Sequence, residues 1–195
     1  MEKLPELNLE KSSPYGKNVD KDFNVFMSFC RKHIANPDEA LLKKAYYFMI
    51  EAHKGMSRAS GEHYYTHPLK VAISMMEDFS INEENVICAA LLHDAVEDNY
   101  TIKLELIEKE FNKDIARLVD GVTKIRGKET TGLDKAATYG KLFMAMVQDP
   151  RAILVKLADR YDNMRTLEHL DYEKIYRIGN ETLNFYVPFA QRLKH

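Results

Sequence analysis

Apolar residues recur at three- and four-residue spacing along most of this chain. Leu41, Leu42, Ala45, Tyr46, Met49, Ile50 and Ala52 lay one hydrophobic stripe along a helix, and Gly55 is placed to end it. No proline interrupts the chain between Pro68 and Pro150, and the spacing there predicts helices over about 68–79, 82–96, 102–111, 112–125 and 134–148. Val86 to Leu92 is a run of apolar residues that covers every face of a helix, which marks a buried element. The polar stretch 126–134, with two glycines and no period, reads as a loop and a candidate lid. Pro150 can open a helix, since its missing N–H costs nothing in a first turn, and a last helix is expected over about 171–192. Nothing alternates as a half-buried strand would. Residues 1–22, rich in charge and carrying Pro5, Pro14 and Gly16, read as a flexible arm ahead of one all-α helical bundle over 23–195.

Composition narrows the class. With 28 Lys and Arg against 30 Asp and Glu, the formal charge is −2, which excludes a strongly basic nucleic-acid clamp. The hydrophobic share of 45% supports a packed core rather than disorder. Cys30 and Cys88 are too few for a disulfide framework, no apolar run resembles a signal peptide or a membrane span, and a cytoplasmic protein with no membrane partner is expected.

The chemistry concentrates in three places. His93, Asp94, Glu97 and Asp98 follow the apolar run directly. On a continuous helix His93 and Glu97 share one edge and Asp94 and Asp98 the next, so an imidazole and three carboxylates crowd one face and call for a metal, an arginine or a charged substrate. Alternatively, the helix simply emerges into water at His93. Further along, Asp159, Asn163 and Thr166 form a polar file beside an apolar stripe, and Asp159 could ligate the same ion or pair with Arg160 or Arg165 on the helix surface. Finally, His67 precedes a helix-opening Pro68, and upstream Arg58, Ser60 and Gly61 make a basic turn that suits a phosphate as readily as it suits an ordinary surface turn.

The runs GEHYYTHP, AALLHDAVED, LVDGVTKI and VKLADRYDNMRTL, in this order and spacing over about residues 40–192, closely resemble the hydrolase domain of the RelA/SpoT homologue family, within the HD phosphohydrolase superfamily. The resemblance implies an HD-type helical bundle that removes the 3′-pyrophosphate of guanosine tetra- or pentaphosphate alarmones, usually with Mn²⁺. Carried over by position, it implies His67, His93, Asp94 and Asp159 as metal ligands and Glu97 with Asp98 as the catalytic acidic pair. It implies Arg58, Ser60, Tyr64, Asn163 and Thr166 as the nucleotide pocket.

Ala59, His63, Thr138, Gly140 and Asp162 depart from the residues frequent in that family. None falls on a ligand position, so they bear on substrate preference and loop behaviour more than on reaction class. The C-terminal stretch resembles the passage into a synthetase domain, so the chain is expected either to be part of a bifunctional synthetase/hydrolase or to be a small stand-alone hydrolase. Two other functions stay open: a guanine-nucleotide sensor without turnover, and an HD phosphohydrolase acting on another nucleotide. His33, His53, His63, His169 and His195 lack acidic partners at ligand spacing and are expected to pack or face solvent.

Overall fold

In a computed structural model, residues 17–123 and 132–192 are described, and among them every regular element is helical. In chain order they are α1 (Lys17–His33), α2 (Glu39–Ala52), α3 (Thr66–Glu77), α4 (Glu84–Leu92), α5 (Ala95–Asp98), α6 (Leu104–Glu110), α7 (Lys113–Val122), α8 (Gly132–Gln148), α9 (Arg151–Met164), α10 (Tyr172–Glu181) and α11 (Val187–Arg192). A 3₁₀ turn, Leu167–His169, and a wide π turn, Thr182–Tyr186, flank α10. One antiparallel bridge, Ser57 to His63, pinches the turn that carries Arg58, and Gly61 supplies the positive φ of +85° which that turn requires. No helix among the described residues is long and apolar enough to cross a membrane.

The apolar run behaves as its pattern demands. Val86 to Leu92 are all buried, and α4 packs between α2, α3 and α7. Truncating one of these side chains, for example Leu91→Ala, removes transfer energy and leaves a cavity, a cost of about 2–5 kcal/mol. α2 starts where Asp38 accepts hydrogen bonds from the backbone N–H groups of Ala40 and Leu41, at 3.1 and 3.0 Å, satisfying two donors that a helix start leaves open. Gly121 lets α7 lie close to its neighbours: a Cβ there would stand 2.9 Å from the Ala145 Cβ of α8 and 3.3 Å from that of Ala152 in α9.

Several boundaries differ from the sequence expectation. Residues 17–22, expected at the end of an arm, are the start of α1; Val19 is buried, its carbonyl accepts from Tyr46 Oη at 2.9 Å, and Asp22 accepts from Tyr65 Oη at 2.8 Å. Residues 1–16 and most of the expected lid, 124–131, lie outside the described residues, while the end of that lid, from Gly132, belongs to α8. The helix expected over 82–96 breaks at His93–Asp94, because the His93 ring binds the Ala90 carbonyl at 2.7 Å, the acceptor that the Asp94 N–H would use in a continuous helix. The last helix opens into the π turn just ahead of Pro188, whose ring crowds the carbonyl four residues earlier.

Where α7, α8 and α9 begin or end, an ion network ties the bundle. Arg151 donates to both oxygens of Asp114, at 2.6 and 3.1 Å, to both oxygens of Asp149, at 2.7 and 2.9 Å, and to Glu83 at 2.9 Å. Arg117 joins from α7, 2.8 Å from Asp114 and 3.0 Å from Asp149.

Candidate metal centre

α3, the α4–α5 break and α9 converge on one point. His67 projects from the first turn of α3, which begins two residues earlier than Pro68, and His93 and Asp94 occupy the break. His93, with its Nδ1 held by Ala90, turns Nε2 inward, where it is buried and has no hydrogen-bond partner. His67 Nε2 lies 3.2 Å from Asp159 Oδ1 and 3.6 Å from Asp94 Oδ2, and His93 Nε2 lies 3.8 and 3.2 Å from the same two oxygens. His67, His93 and Asp159 each offer a ligand atom within 4.8 Å of the others.

This donor set fits a divalent cation. Two imidazoles and two carboxylates bring a charge of −2 when the rings are neutral, and an orphaned, buried imidazole nitrogen is costly unless something binds it. The break at His93–Asp94 assists by turning both side chains toward α9. The electrostatics point the same way. Burial opposes the charged form of His67, yet hydrogen bonds to Asp159 and Asp162 outweigh it and hold its pKa up at about 9. Burial likewise opposes ionised Asp94 and Asp159, but His93 holds Asp94, and Lys156 with His67 holds Asp159, well below the usual carboxylate range. The carboxylates therefore stay charged and hold positive charge between them.

The surrounding shell is specific. Asn163 Nδ2 donates to Asp159 Oδ1 at 2.6 Å, and the buried Lys156 donates to Asp159 Oδ2 at 3.2 Å. Tyr64 Oη donates to Asp94 Oδ2 at 3.1 Å, and burial together with Asp94 and Asp98 pushes its pKa up. Arg58 donates from Nη1 to Asp162 Oδ2 at 2.8 Å and from Nη2 to Thr166 Oγ1 at 3.2 Å. Asp162 Oδ2 also lies 2.6 Å from His67 Nδ1. Ser60, half-buried in the same turn, lines a cleft with Asp162, Arg165 and Thr166.

The acidic pair divides. Glu97, half-buried, lies near enough for its charge to help keep Lys156 protonated, whereas Asp98 faces His53, with Oδ2 3.5 Å from Nε2. His53 is buried, stacks on Tyr64 at 4.9 Å between ring centroids, and binds the Met49 carbonyl through Nδ1 at 2.9 Å. Its expected role as a bland packing or surface residue overlooked Asp98, which arrives from another helix. Asp159 is not paired with Arg160 or Arg165: Arg160 binds Glu181 at 3.0 Å and lies 4.5 Å from the Tyr186 ring, and Arg165 lies over Tyr161.

A second cleft opens beside Asp159 and Asn163, lined by three cations, Lys156, Arg160 and Arg177, and by Tyr186. In the sequence, Arg160 stands out only as a surface partner for Asp159, and Lys156, Arg177 and Tyr186 do not stand out. All of the expected ligands and pocket residues lie around the α3–α9 junction, with Ser60 the most peripheral.

Comparison with known proteins identifies the family. The HD domain family model matches residues 45–194. The guanosine-3′,5′-bis(diphosphate) 3′-pyrophosphohydrolase of Aquifex aeolicus is 39% identical, over 99% of this chain and 25% of the relative. The bifunctional (p)ppGpp synthase/hydrolase SpoT of Escherichia coli is 45% identical, over 78% of this chain and 22% of the relative. The GTP pyrophosphokinase of Myxococcus xanthus is 44% identical, over 81% and 21%. This chain thus spans about a quarter or less of the length of these relatives. A solved structure of a metazoan SpoT ortholog described as hydrolysing ppGpp superposes with a TM-score of 0.60 at 27% identity, covering 73% of this chain and 81% of that one. With an all-helical bundle, a His/Asp cluster at its centre and a family match across most of its length, the chain belongs to the HD-domain family.

Proposed function

We propose that this chain is a metal-dependent phosphohydrolase that converts guanosine 3′,5′-bis(diphosphate), and the pentaphosphate, to GDP or GTP and pyrophosphate. The observation that carries the reading is the largely buried His67, His93, Asp94 and Asp159 cluster, with its orphaned Nε2, set between the Arg58 turn and a cleft lined by Lys156, Arg160 and Arg177 beside Asp159 and Glu181. The relative similar over 99% of the chain bears the name of that activity.

His67, His93, Asp94 and Asp159 would hold one divalent ion, for which we propose Mn²⁺, a cation suited to mixed imidazole and carboxylate donors. Such an ion supplies an acidified water and a counter-charge for phosphate. Hydrolysis adds the elements of water across the bond between the ribose 3′-oxygen and phosphorus, leaving a 3′-hydroxyl and free pyrophosphate. In our reading Glu97 accepts the water's proton and Asp98, held by His53 and Tyr64, orients the attack. Lys156, Arg160 and Arg177 neutralise the departing pyrophosphate, and Arg58, Ser60, Tyr64, Asn163 and Thr166 bind the nucleoside side. The hydrolase unit begins with α1, at Lys17 rather than at residue 23, and the greater length of the relatives supports a covalently attached synthetase domain as its partner in the cytoplasm.

The test is incubation of metal-stripped protein with guanosine tetraphosphate, with and without Mn²⁺, and separation of the products by ion exchange. Mn²⁺-dependent appearance of GDP and pyrophosphate in equal amounts is expected. Binding without turnover would replace the reading with a nucleotide sensor, and turnover of a different nucleotide alone would replace the substrate.

A further inference from the structure

Asp162 stands behind the metal cluster. Its carboxylate is buried, and a single oxygen, Oδ2, serves two partners: His67 Nδ1 at 2.6 Å and Arg58 Nη1 at 2.8 Å. A carboxylate only accepts hydrogen bonds, so Nδ1 of His67 carries the proton and Nε2, which faces Asp94 and Asp159, is the atom available to a cation. An acceptor behind a ligating imidazole fixes the ring and raises its basicity. Here the acceptor is shared with a guanidinium that also bonds Thr166.

We propose that Asp162 is a positioning residue that couples cation binding to nucleotide binding, through competition between His67 and Arg58 for one oxygen. The inference rests on the proposed function for the role of Arg58. When a nucleotide draws the Arg58 guanidinium off Oδ2, the whole carboxylate charge turns to His67 and the imidazole becomes a better ligand. By linkage, a bound cation eases the release of Arg58 to the nucleotide.

The test is a double-mutant cycle read as Mn²⁺ affinity by calorimetry, with no nucleotide present, on wild type, D162N, R58A and the double variant. Melting in EDTA checks that each is folded. D162N is expected to weaken Mn²⁺ binding ~10- to 100-fold. R58A, which mimics the withdrawn guanidinium, is expected to tighten it about 5-fold, and most of that gain should vanish in the D162N background. Wild-type Mn²⁺ affinity in D162N, or the same gain from R58A in both backgrounds, overturns the proposal. If D162N does not fold, R58A alone decides, and an unchanged Mn²⁺ affinity overturns it. Normal coupling in a protein that leaves guanosine tetraphosphate intact would overturn the functional reading alone, while a wild type that binds no Mn²⁺ would overturn both.

Discussion

Two clusters of charge hold this bundle together at different places, and they are built from nearly the same parts. Around Arg151, the carboxylates of Asp114, Asp149 and Glu83 are met by arginines in forked geometry, so each acceptor has a cation of the chain's own. Around His67 and His93, Arg58 is spent on Asp162 and Arg160 on Glu181, and Asp94 and Asp159 face imidazoles and one lysine. An arginine cannot give up its proton, whereas an imidazole can, so the first cluster is closed and the second accepts a substitute cation. Self-sufficiency separates the structural cluster from the functional one, more than charge or burial does.

Substitutions should pull the two apart. Glu97→Gln is expected to lower turnover of guanosine tetraphosphate by ~10²- to 10⁴-fold while leaving the Mn²⁺ isotherm in place, which steady-state kinetics and calorimetry would show. Next in size, Mn²⁺ at about a hundred times its Kd should raise wild-type stability by about 2.7 kcal/mol in urea melts. His93→Gln should lose that increment, and a full increment in that variant would contradict the ligand assignment. Arg151→Met should cost about 2 kcal/mol in the same melts, since several charge-assisted bonds go but the group is partly solvated, with Mn²⁺ affinity within about twofold of wild type.

The smallest contrast is in pH. In EDTA, His67 has a folded pKa of about 9, raised above its ordinary value of 6.5, so its contribution to stability is full below 6.5 and fades as pH rises through 9. Asp114 and Asp149 have pKa values lowered by Arg151, so theirs is full above the ordinary carboxylate value of 3.8 and fades on acidification below it. Thermal melts should therefore show an alkaline limb above about pH 7, to which His93, its pKa likewise raised against burial by Asp94, also contributes; R151M should retain it and His67→Gln should diminish it. An undiminished alkaline limb in the His67 variant would remove this assignment.

Much of the fold lay in local pattern. The stripe of α2, the apolar run of α4 and the proline before α9 act over one or two turns, and helices depend on such short-range periodicity. The His/Asp cluster was legible because His93 and Asp94 adjoin a run that has to be buried. What spacing could not supply were contacts between distant segments. Arg58 meets Asp162 across 104 positions, and His53 meets Asp98 from a different helix. Asp162 was read only as a departure from a family pattern, although it extends the polar file of Asp159, Asn163 and Thr166 by an i+3 step. Arg160 stood out only as a surface partner for Asp159 and Lys156 not at all, and only the packing of α9 against the C-terminal segment shows that they line a cleft. The break at His93 was hidden because its cause is a ring bonding its own backbone, which propensity does not register.

The π turn at Thr182–Tyr186 carries one residue more than an α-helix would place in that span. Deleting a single residue there would rewind it and re-clock everything beyond it by about 100° and 1.5 Å. Tyr186 would leave Arg160, while α3, α4 and α9 kept their positions. The C-terminal segment of the bundle can thus change heading by a one-residue insertion or deletion, a route by which the same helical bundle could be aimed at differently placed neighbours without any change in its His/Asp cluster.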